Sequence, residues 1–182
     1  VIKNTNNPKH PGTKIVLNHT DENVKVVGIA GDSGFVSINT TKYLMNREVG
    51  FGRKLLQILE DLNISWDHMP TGIDDLSVIL RSKELTPIKE QEILKHLIQD
   101  LQVDYAEIEH DLSIIMIVGE NMKNQIGVTA TATKALSENN INIQMISQGS
   151  SEVSIMFVVN KDQEKAAIKA LYNAFFGESK ED

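Results

Sequence analysis

The 182 residues, of which 41% are hydrophobic, are enough to bury the core of one large domain or of two small ones. The formal net charge of -7 and the pI of about 5.2 leave no basic face for phosphates, which argues against nucleic acid as a partner. The absence of cysteine excludes disulfides, thiolate metal sites and thiol nucleophiles and is typical of the cytoplasm, and no apolar run approaches the roughly 20 residues that cross a membrane.

The chain opens on a loop-like segment, residues 4–13, that is rich in asparagine, proline and threonine. Its first residue is Val1 rather than a methionine, and no signal-peptide pattern follows. We therefore expect a processed or truncated chain, with any catalytic machinery upstream of it.

Two stretches with the composition of strands come next, Val24–Ala30 and Phe35–Thr40. The four residues between them read Gly-Asp-Ser-Gly, which favours a hairpin turn. The glycines around this turn have neither the spacing nor the following helix of a dinucleotide-binding fingerprint. The sequence therefore predicts an N-terminal hairpin rather than a nucleotide site.

An internal repeat organises the rest of the chain. At an offset of 77 residues, the stretch from Met45 to Leu80 aligns without a gap on a later stretch of the same chain. The identities fall at glycines, element ends and apolar positions, which indicates a duplicated module. The coinciding pairs are Met45 with Met122, Gly50 with Gly127, Leu59 with Leu136, Asn63 with Asn140, Ile64 with Ile141, Gly72 with Gly149, and Ser77 with Ser154.

The first copy has the periodicity of a β-α-β-β-α-β unit. Apolar residues recur at helical spacing behind Gly50, and Thr86 with Pro87 is a typical N-cap and first-turn pair. The predicted elements are a strand over Phe35–Thr40, a helix over Gly50–Leu62, strands over Ile64–Met69 and Leu76–Arg81, a helix from Thr86 to about Asp100, and a last strand over Val103–Glu109.

The second copy repeats this order but lacks the last strand. The N-terminal hairpin stands in its place, so the two modules could share or exchange edge strands. The predicted elements are a strand over Leu112–Val118, a helix over Ile126–Glu138, strands over Ile141–Ser147 and Val153–Val159, and a helix over Asp162–Phe175.

The predicted fold class is therefore α+β, with two ferredoxin-like βαββαβ modules whose antiparallel sheets are covered by helices on one face. We divide the chain into a linker over residues 1–22, a first module over 23–109 and a second over 110–182. Edge strands of such sheets can pair with another copy, which favours side-by-side sheets as a mode of assembly.

Residues that could carry chemistry are scarce. The five histidines lack the spacing of metal ligands, and no phosphate-binding loop or nucleophile elbow occurs. The acidic residues are scattered along predicted helices, where solvated faces are expected. The sequence thus predicts no catalytic residue, metal site or cofactor, and the chain is expected not to be an enzyme.

The start of the first predicted helix is the exception, with glycine at Gly50 and Gly52 in the run Glu48–Arg53. One interpretation is structural: glycine lets the chain turn sharply into the helix. The other is that free backbone N–H groups at the helix start bind an anion such as an amino-acid carboxylate. An ammonium group of the same ligand would then need a carboxylate partner.

Two places offer such carboxylates: Asp67, and the pair Asp74 and Asp75 after the next turn. Trp66, the only tryptophan, is expected either in the core or beside Phe51 as an apolar wall of a small-molecule pocket. In the second copy the position of Asp67 is held by Gln144, which removes the charge. The two copies should therefore bind differently, with the first as the better site.

The sequence also resembles a known family, the C-terminal regulatory region of aspartokinases with its tandem ACT domains. Residues 4–13 resemble the N-T-x-x-P-x-x-P-G-T segment that ends the kinase domain of that family. Residues 45–53 and 64–70 are similar to effector-site segments of monofunctional, lysine-sensitive members, and residues 124–128 and 140–152 also match.

This resemblance implies two ACT modules, feedback inhibition by L-lysine, a homodimer formed through these modules, and an upstream aspartokinase catalytic domain. It implies that the effector is bordered by Met45, Glu48, Val49, Gly50, Phe51, Gly52, Ser65, Trp66, Asp67, Asp74 and Asp75. The weaker counterparts in the second module are Asn124, Gln125, Ile126, Gly127, Asn142 and Ile143.

The chain departs from the family pattern where other members carry serine at the place of Glu48, leucine at Gly52 and a shorter turn before Asp74. Because related enzymes differ in effector on the same scaffold, L-threonine, alone or with lysine, is an alternative effector. The sequence is also compatible with a module that only holds subunits together, in which the glycine turn is purely structural, and with an enzyme whose site is not recognisable in the sequence.

Overall fold

The computed structural model describes residues 1–12, 15 and 25–177. Val24 and Thr13 of the predicted N-terminal segments, the predicted boundary after residue 22, and residues 178–182 lie outside the described residues. The described chain forms five strands and four α-helices: β1 (Gly28–Thr41), α1 (Phe51–Asp61), β2 (Asp75–Arg81), α2 (Pro87–Gln99), β3 (Tyr105–Val118), α3 (Val128–Glu138), β4 (Met145–Gln148), β5 (Ser154–Asn160) and α4 (Glu164–Phe176).

The five strands form one antiparallel sheet in the order β2-β1-β3-β5-β4. The two central strands, β1 and β3, are each 14 residues long and pair with one another along most of their length. β2 pairs with the later part of β1 alone, and β5 lies between the later part of β3 and the short strand β4. This arrangement of sheet and helices confirms the predicted α+β class with ferredoxin-like units.

The predicted N-terminal hairpin is wrong, because residues 31–34 lie inside the continuous strand β1. Gly34 has a φ of 85° and is the extra residue of a β-bulge, where the pairing with β3 shifts its register. A bulge therefore takes the place of the expected turn. In the same way, the strands predicted on either side of His110 join into β3, with Asp111 at a φ of 56° beside the second register shift.

The continuity of these two strands explains how the second copy closes its sheet without a last strand of its own. Residues 28–33 of β1 pair with residues 113–118 of β3 and supply the missing strand. The two copies thus share the long central strands rather than edge strands. The predicted division after residue 109 stays a prediction; that position lies inside β3.

The hydrophobic core has two large clusters on the helical face of the sheet. One packs α1 and α2 against β1 and β2, and the other packs α3 and α4 against β3 and β5. A smaller cluster lies on the opposite face, where Phe35 and Leu112 pair at the centre of the sheet and Ile79 and Val158 flank them. Each copy therefore has its own helical core, while the sheet is common to both.

The helices largely follow the prediction. Gly50 caps α1, and Thr86 caps α2, where its side chain accepts a hydrogen bond from the N–H of Lys89. In the second copy, the predicted helix from Ile126 begins two residues later, and the one from Asp162 follows a short 3-10 turn. Helix bounds were therefore accessible from local periodicity and capping residues.

The strand predicted over Ile64–Met69 is not regular. The chain beside β2 makes only isolated bridges, His68 with Ile79 and Thr71 with Leu76, because Pro70 between them has no N–H to donate. We call residues 65–72 the edge segment. Its counterpart in the second copy is shorter than predicted, since only Met145–Gln148 forms β4.

Candidate functional site

The first turn of α1 has the geometry expected of an anion site. Gly50, with a φ of 81°, precedes the helix, and no side chain of the described part of the chain caps it. Among the described residues, the backbone N–H groups of Gly52 and Arg53 have no hydrogen-bond partner, whereas that of Lys54 donates to Gly50. Free N–H groups and the positive end of the helix dipole favour an anionic group at this place.

Glu48, directly before this turn, is held by two lysines. Its carboxylate lies 2.6 Å from Lys42 Nζ and 2.7 Å from Lys54 Nζ, and hydrogen bonds from Lys42 and then Lys54 lower its pKa below the ordinary value. Lys42 also lies over the ring of Phe51, 5.7 Å from its centroid. The start of α1 is therefore surrounded by fixed charges, two positive and one negative.

Asp74 is placed beside the same loop by backbone hydrogen bonds. Its carbonyl accepts from Lys42 N at 2.8 Å, and the carbonyl of Ile73 accepts from Asn46 N at 3.2 Å. The Oδ1 atom of Asp74 is buried without a hydrogen-bond partner among the described residues. A buried carboxylate oxygen that lacks a donor is costly, so Asp74 is the carboxylate beside this loop whose hydrogen-bonding capacity is not met by the described residues.

Ser65, Trp66 and Asp67 lie elsewhere in the same chain. They follow the far end of α1, a helix of 11 residues and thus about 16 Å long. Trp66 is 45% exposed and, with α1 residues Leu56 and Glu60, lines a cavity of about 630 Å³. Phe51 is buried in the core at the other end of that helix, so the structure does not bring these two rings together.

The carboxylate of Asp67 already faces a cation of its own chain. Its Oδ1 lies 3.9 Å from Arg81 Nε, and Arg81 also pairs with Asp32 at 2.7 Å and lies over the ring of Phe35. Asp67 thus already faces a cation of its own chain, whereas the buried Oδ1 of Asp74 has no partner among the described residues. Asp75, at the start of β2 opposite Thr41, is exposed.

The second copy repeats the geometry of the turn without its charges. Gly127, with a φ of 95°, precedes α3, and Ile126 is 95% exposed, as is its counterpart Val49. At the positions 77 residues after Lys42, Glu48 and Lys54, the chain carries the uncharged Gly119, Gln125 and Thr131. The N–H of Asn124 is already bound to Glu152 at 2.8 Å, and Asn142 and Ile143 precede β4.

Sequence reasoning missed the two lysines that hold Glu48. Lys42 belongs to the end of the preceding strand region and Lys54 to the first turn of the helix, and no periodic pattern connects them. The one available signal was comparison of the two copies, since all three charges are absent from the second. The binding role of the predicted site residues stays a prediction.

His68, in the edge segment, should make stability depend on pH. Burial lowers its pKa below the ordinary 6.5, and its Nε2 is buried without a hydrogen-bond partner among the described residues. The unfolded chain therefore takes up this proton first, so stability is complete above about pH 6.5 and falls as the pH drops towards the lower folded value. We expect His68→Gln to lose less melting temperature between about pH 7.5 and 5.5 than the original chain.

Thermal unfolding followed by circular dichroism at the two pH values measures this difference. His10→Gln, which removes an exposed histidine, is the matched control and should keep the original pH dependence. An equal loss in the His68→Gln chain and the original chain would contradict the assignment.

Within the described ranges, no group of three or more histidine, aspartate or glutamate side chains is arranged to hold a metal ion. In the same ranges no helix combines the length and the apolar character needed to span a bilayer.

Comparison with known proteins shows similarity to ACT domains and to aspartokinases. A sequence profile described as ACT domain matches residues 115–175. Aspartokinase 3 of Bacillus subtilis (strain 168) is 51% identical over 175 residues, which are 96% of this chain and 38% of that protein. The chain therefore spans about two fifths of the length of this relative.

Solved structures show a similarity to the same kind of protein. The crystal structure of Clostridium acetobutylicum aspartate kinase superposes with a TM-score of 0.86 and 38% identity, over 95% of this chain and 40% of that one. The regulatory subunit of aspartate kinase from Thermus flavus superposes with a TM-score of 0.72 over 83% of this chain and 99% of that one. At 22% identity, the second likeness shows the fold alone.

These matches contradict the prediction that the chain is not an enzyme. The Bacillus subtilis and Clostridium acetobutylicum proteins are kinases by name, and this chain corresponds to 38% and 40% of their lengths. The chain thus corresponds to one part of such enzymes. A match to one part of a kinase does not support classifying the chain as a non-enzyme.

Proposed function

Because the chain belongs to the ACT-domain regulatory regions of aspartokinases, we propose that it binds L-lysine at the start of α1 and passes the binding on to an attached aspartokinase catalytic domain as feedback inhibition. This function requires a ligand site, a dimer and an attached catalytic domain. The observation that carries it is the pairing of free backbone donors with an unpaired carboxylate oxygen at one helix start.

An amino acid offers the two groups that this place lacks. Its carboxylate can accept hydrogen bonds from the N–H groups of Gly52 and Arg53, and its ammonium can donate to Asp74. Lys42 and Lys54 add positive charge beside the ligand carboxylate. The site is therefore complementary to a zwitterion rather than to a simple anion or cation.

The preference for lysine rests on two further carboxylates, one in the same chain and one that a second chain would supply, and on the resemblance to lysine-sensitive enzymes. Lysine carries a second ammonium at the end of a long side chain, and Asp67 and Asp75 are carboxylates that could receive it. Threonine has no charged side chain and would leave both carboxylates without a ligand partner. It remains the alternative effector.

A dimer would complete this site. Ser65, Trp66 and Asp67 lie at the opposite end of α1 from Gly50, so one ligand reaches both groups only if the second group comes from another chain. The irregular edge segment, which makes only isolated bridges on its β2 side, offers backbone groups to a partner. A ligand between two chains changes the dimer only by its difference in affinity for the two assembled states.

Titration calorimetry of the chain with L-lysine, and separately with L-threonine, tests the proposal. We expect lysine to bind and to raise the melting temperature, and Asp74→Asn to weaken binding by about 10- to 100-fold, because a hydrogen bond to a charged group is lost. Binding of threonine but not of lysine would identify threonine as the effector instead of lysine. Binding of neither would overturn the sensing function.

Two further variants sharpen this experiment. Asp61→Asn removes the same charge from the far end of α1 and should leave lysine affinity unchanged. Asp67→Ala separates the two candidate carboxylates: we expect it to lower affinity while the dimer persists in sedimentation velocity. Loss of affinity in Asp61→Asn equal to that in Asp74→Asn would show a nonspecific charge effect and reject the assignment.

A further inference from the structure

Arg81, the last residue of β2, stands between two carboxylates. Its Nη1 donates a hydrogen bond to Oδ2 of Asp32 at 2.7 Å, and its Cζ lies 4.1 Å from the ring centroid of the buried Phe35. Its Nε lies 3.9 Å from Oδ1 of Asp67, which is too long for a hydrogen bond. Arg81 is therefore fixed by Asp32 and Phe35, and it acts on Asp67 through its charge.

The charges of these side chains do not balance. Two carboxylates share one guanidinium, and in the described chain neither carboxylate has a second ion-pair partner. Asp67 is the carboxylate held less tightly, because its contact with Arg81 is the longer one and its side chain is 39% exposed. Its backbone is fixed, since its N–H donates to the carbonyl of Ile79 at 2.8 Å. A cationic ligand that binds Asp67 would thus share this carboxylate with Arg81.

The second copy has a different arrangement at the same positions. Glu109, Gln144 and Val158 stand 77 residues after the two carboxylates and the arginine. Nε2 of Gln144 donates to Oε1 of Glu109 at 2.6 Å, and the place of the guanidinium is taken by the buried side chain of Val158. One carboxylate is there satisfied by a neutral amide. The shared guanidinium therefore belongs to the first copy, which also carries the proposed ligand site.

We propose that Arg81 sets the affinity of the first copy for amino acids with a cationic side chain, because its guanidinium competes with the side-chain ammonium of the ligand for Asp67. Asp32 limits this competition by holding the guanidinium to itself. The inference rests on the proposed function and deepens it by naming a residue that weakens the binding of lysine. Threonine, which has no side-chain ammonium, does not meet this competition.

Titration calorimetry of the full chain with L-lysine tests the role of Arg81. Arg81→Gln should bind lysine about three- to tenfold more tightly, because a positive charge a few ångströms from the bound ammonium is removed. Arg81→Lys keeps the charge and should bind within about twofold of the original chain. Loss of packing on Phe35 would instead affect both variants in the same direction. Lys134→Gln, which removes an exposed cation from α3, is the matched control and should leave the affinity unchanged.

Asp32→Asn provides a second variant, which leaves the guanidinium in place. It frees Arg81 to turn towards Asp67, so lysine affinity should fall by about threefold, whereas the same substitution should have almost no effect in an Arg81→Gln chain. Asp111→Asn is the matched control, because it removes an exposed carboxylate that is paired with Lys161, and it should bind lysine as the original chain does. The melting temperature of each variant shows whether it is folded.

The outcomes separate this inference from the function on which it rests. If the original chain binds neither lysine nor threonine, the proposed function fails and the role of Arg81 fails with it. If the original chain binds lysine and Arg81→Gln binds it no more tightly, only the role of Arg81 is overturned. Unchanged lysine affinity in Asp32→Asn, or an equal loss with and without Arg81, would also overturn it. Binding of threonine alone would remove the cationic ligand and reject the competition.

Discussion

Phe157→Ala is expected to lower the free energy of unfolding by about 3–5 kcal/mol, because it leaves a cavity that the surrounding core cannot fill. Phe157 is fully buried on β5, in the cluster that packs α3 and α4 against the sheet. It pairs with Ile115 of the shared strand β3 and with Ile146 of β4. The cavity would therefore open where the helices of the second copy meet the common sheet.

Denaturant unfolding followed by circular dichroism measures this loss. Tyr172→Ala is the control: it also removes an aromatic ring from the second copy, but Tyr172 is 56% exposed on α4 and its loss should cost far less. A loss below about 1 kcal/mol in Phe157→Ala would contradict the packing described for this cluster.

Gly119→Ala is expected to destabilise the chain by about 1–3 kcal/mol, through a close approach of two backbones. A Cβ atom at this position would lie 2.0 Å from the carbonyl oxygen of Lys25 and 3.1 Å from Cα of Val26. The φ of Gly119 is 177°, an extended conformation open to any residue, so the expected cost is steric alone. Both segments are anchored: Val27 N donates to Val118, and Gly119 N donates to Val153.

Gly149→Ala provides the matched control, because its nearest atom would be 4.0 Å from the added Cβ. Thermal and denaturant unfolding of the two variants should differ clearly, with Gly149→Ala close to the original chain. Equal stability of Gly119→Ala and the original chain would show that the segment around Lys25 does not pass as close to Gly119 as described.

The helices could be predicted from sequence because their signals are local. Thr86 with Pro87 marks the start of α2, and Gly50 marks that of α1, through interactions within a few residues. The two central strands could not be predicted from the sequence. The run from Gly31 to Gly34 has the composition of a turn, and only its pairing with a strand some 80 residues later turns it into a bulge.

The candidate site likewise has features that the sequence predicts and features that it does not. The glycine turn before Phe51 was predictable, because positive φ at a helix start selects for glycine. The ion pairs of Glu48 with Lys42 and Lys54 depend on the path of the loop and carry no sequence period. The separation of Trp66 from Phe51 follows from the length of α1 and from the direction of the edge segment, which neither residue reveals by itself.

The sharing of β1 and β3 makes this chain a nested assembly. The first copy is inserted between the strand at residues 28–33 and the remainder of the second copy, and both connections to it run through unbroken strands. A cut near residue 110 would leave the strands of the first copy together on one fragment but would separate the second copy from residues 28–33, which complete its sheet. Because both strands run from one copy into the other, a change in their twist beside α1 and α2 is expected to alter the packing of α3 and α4 on the same sheet.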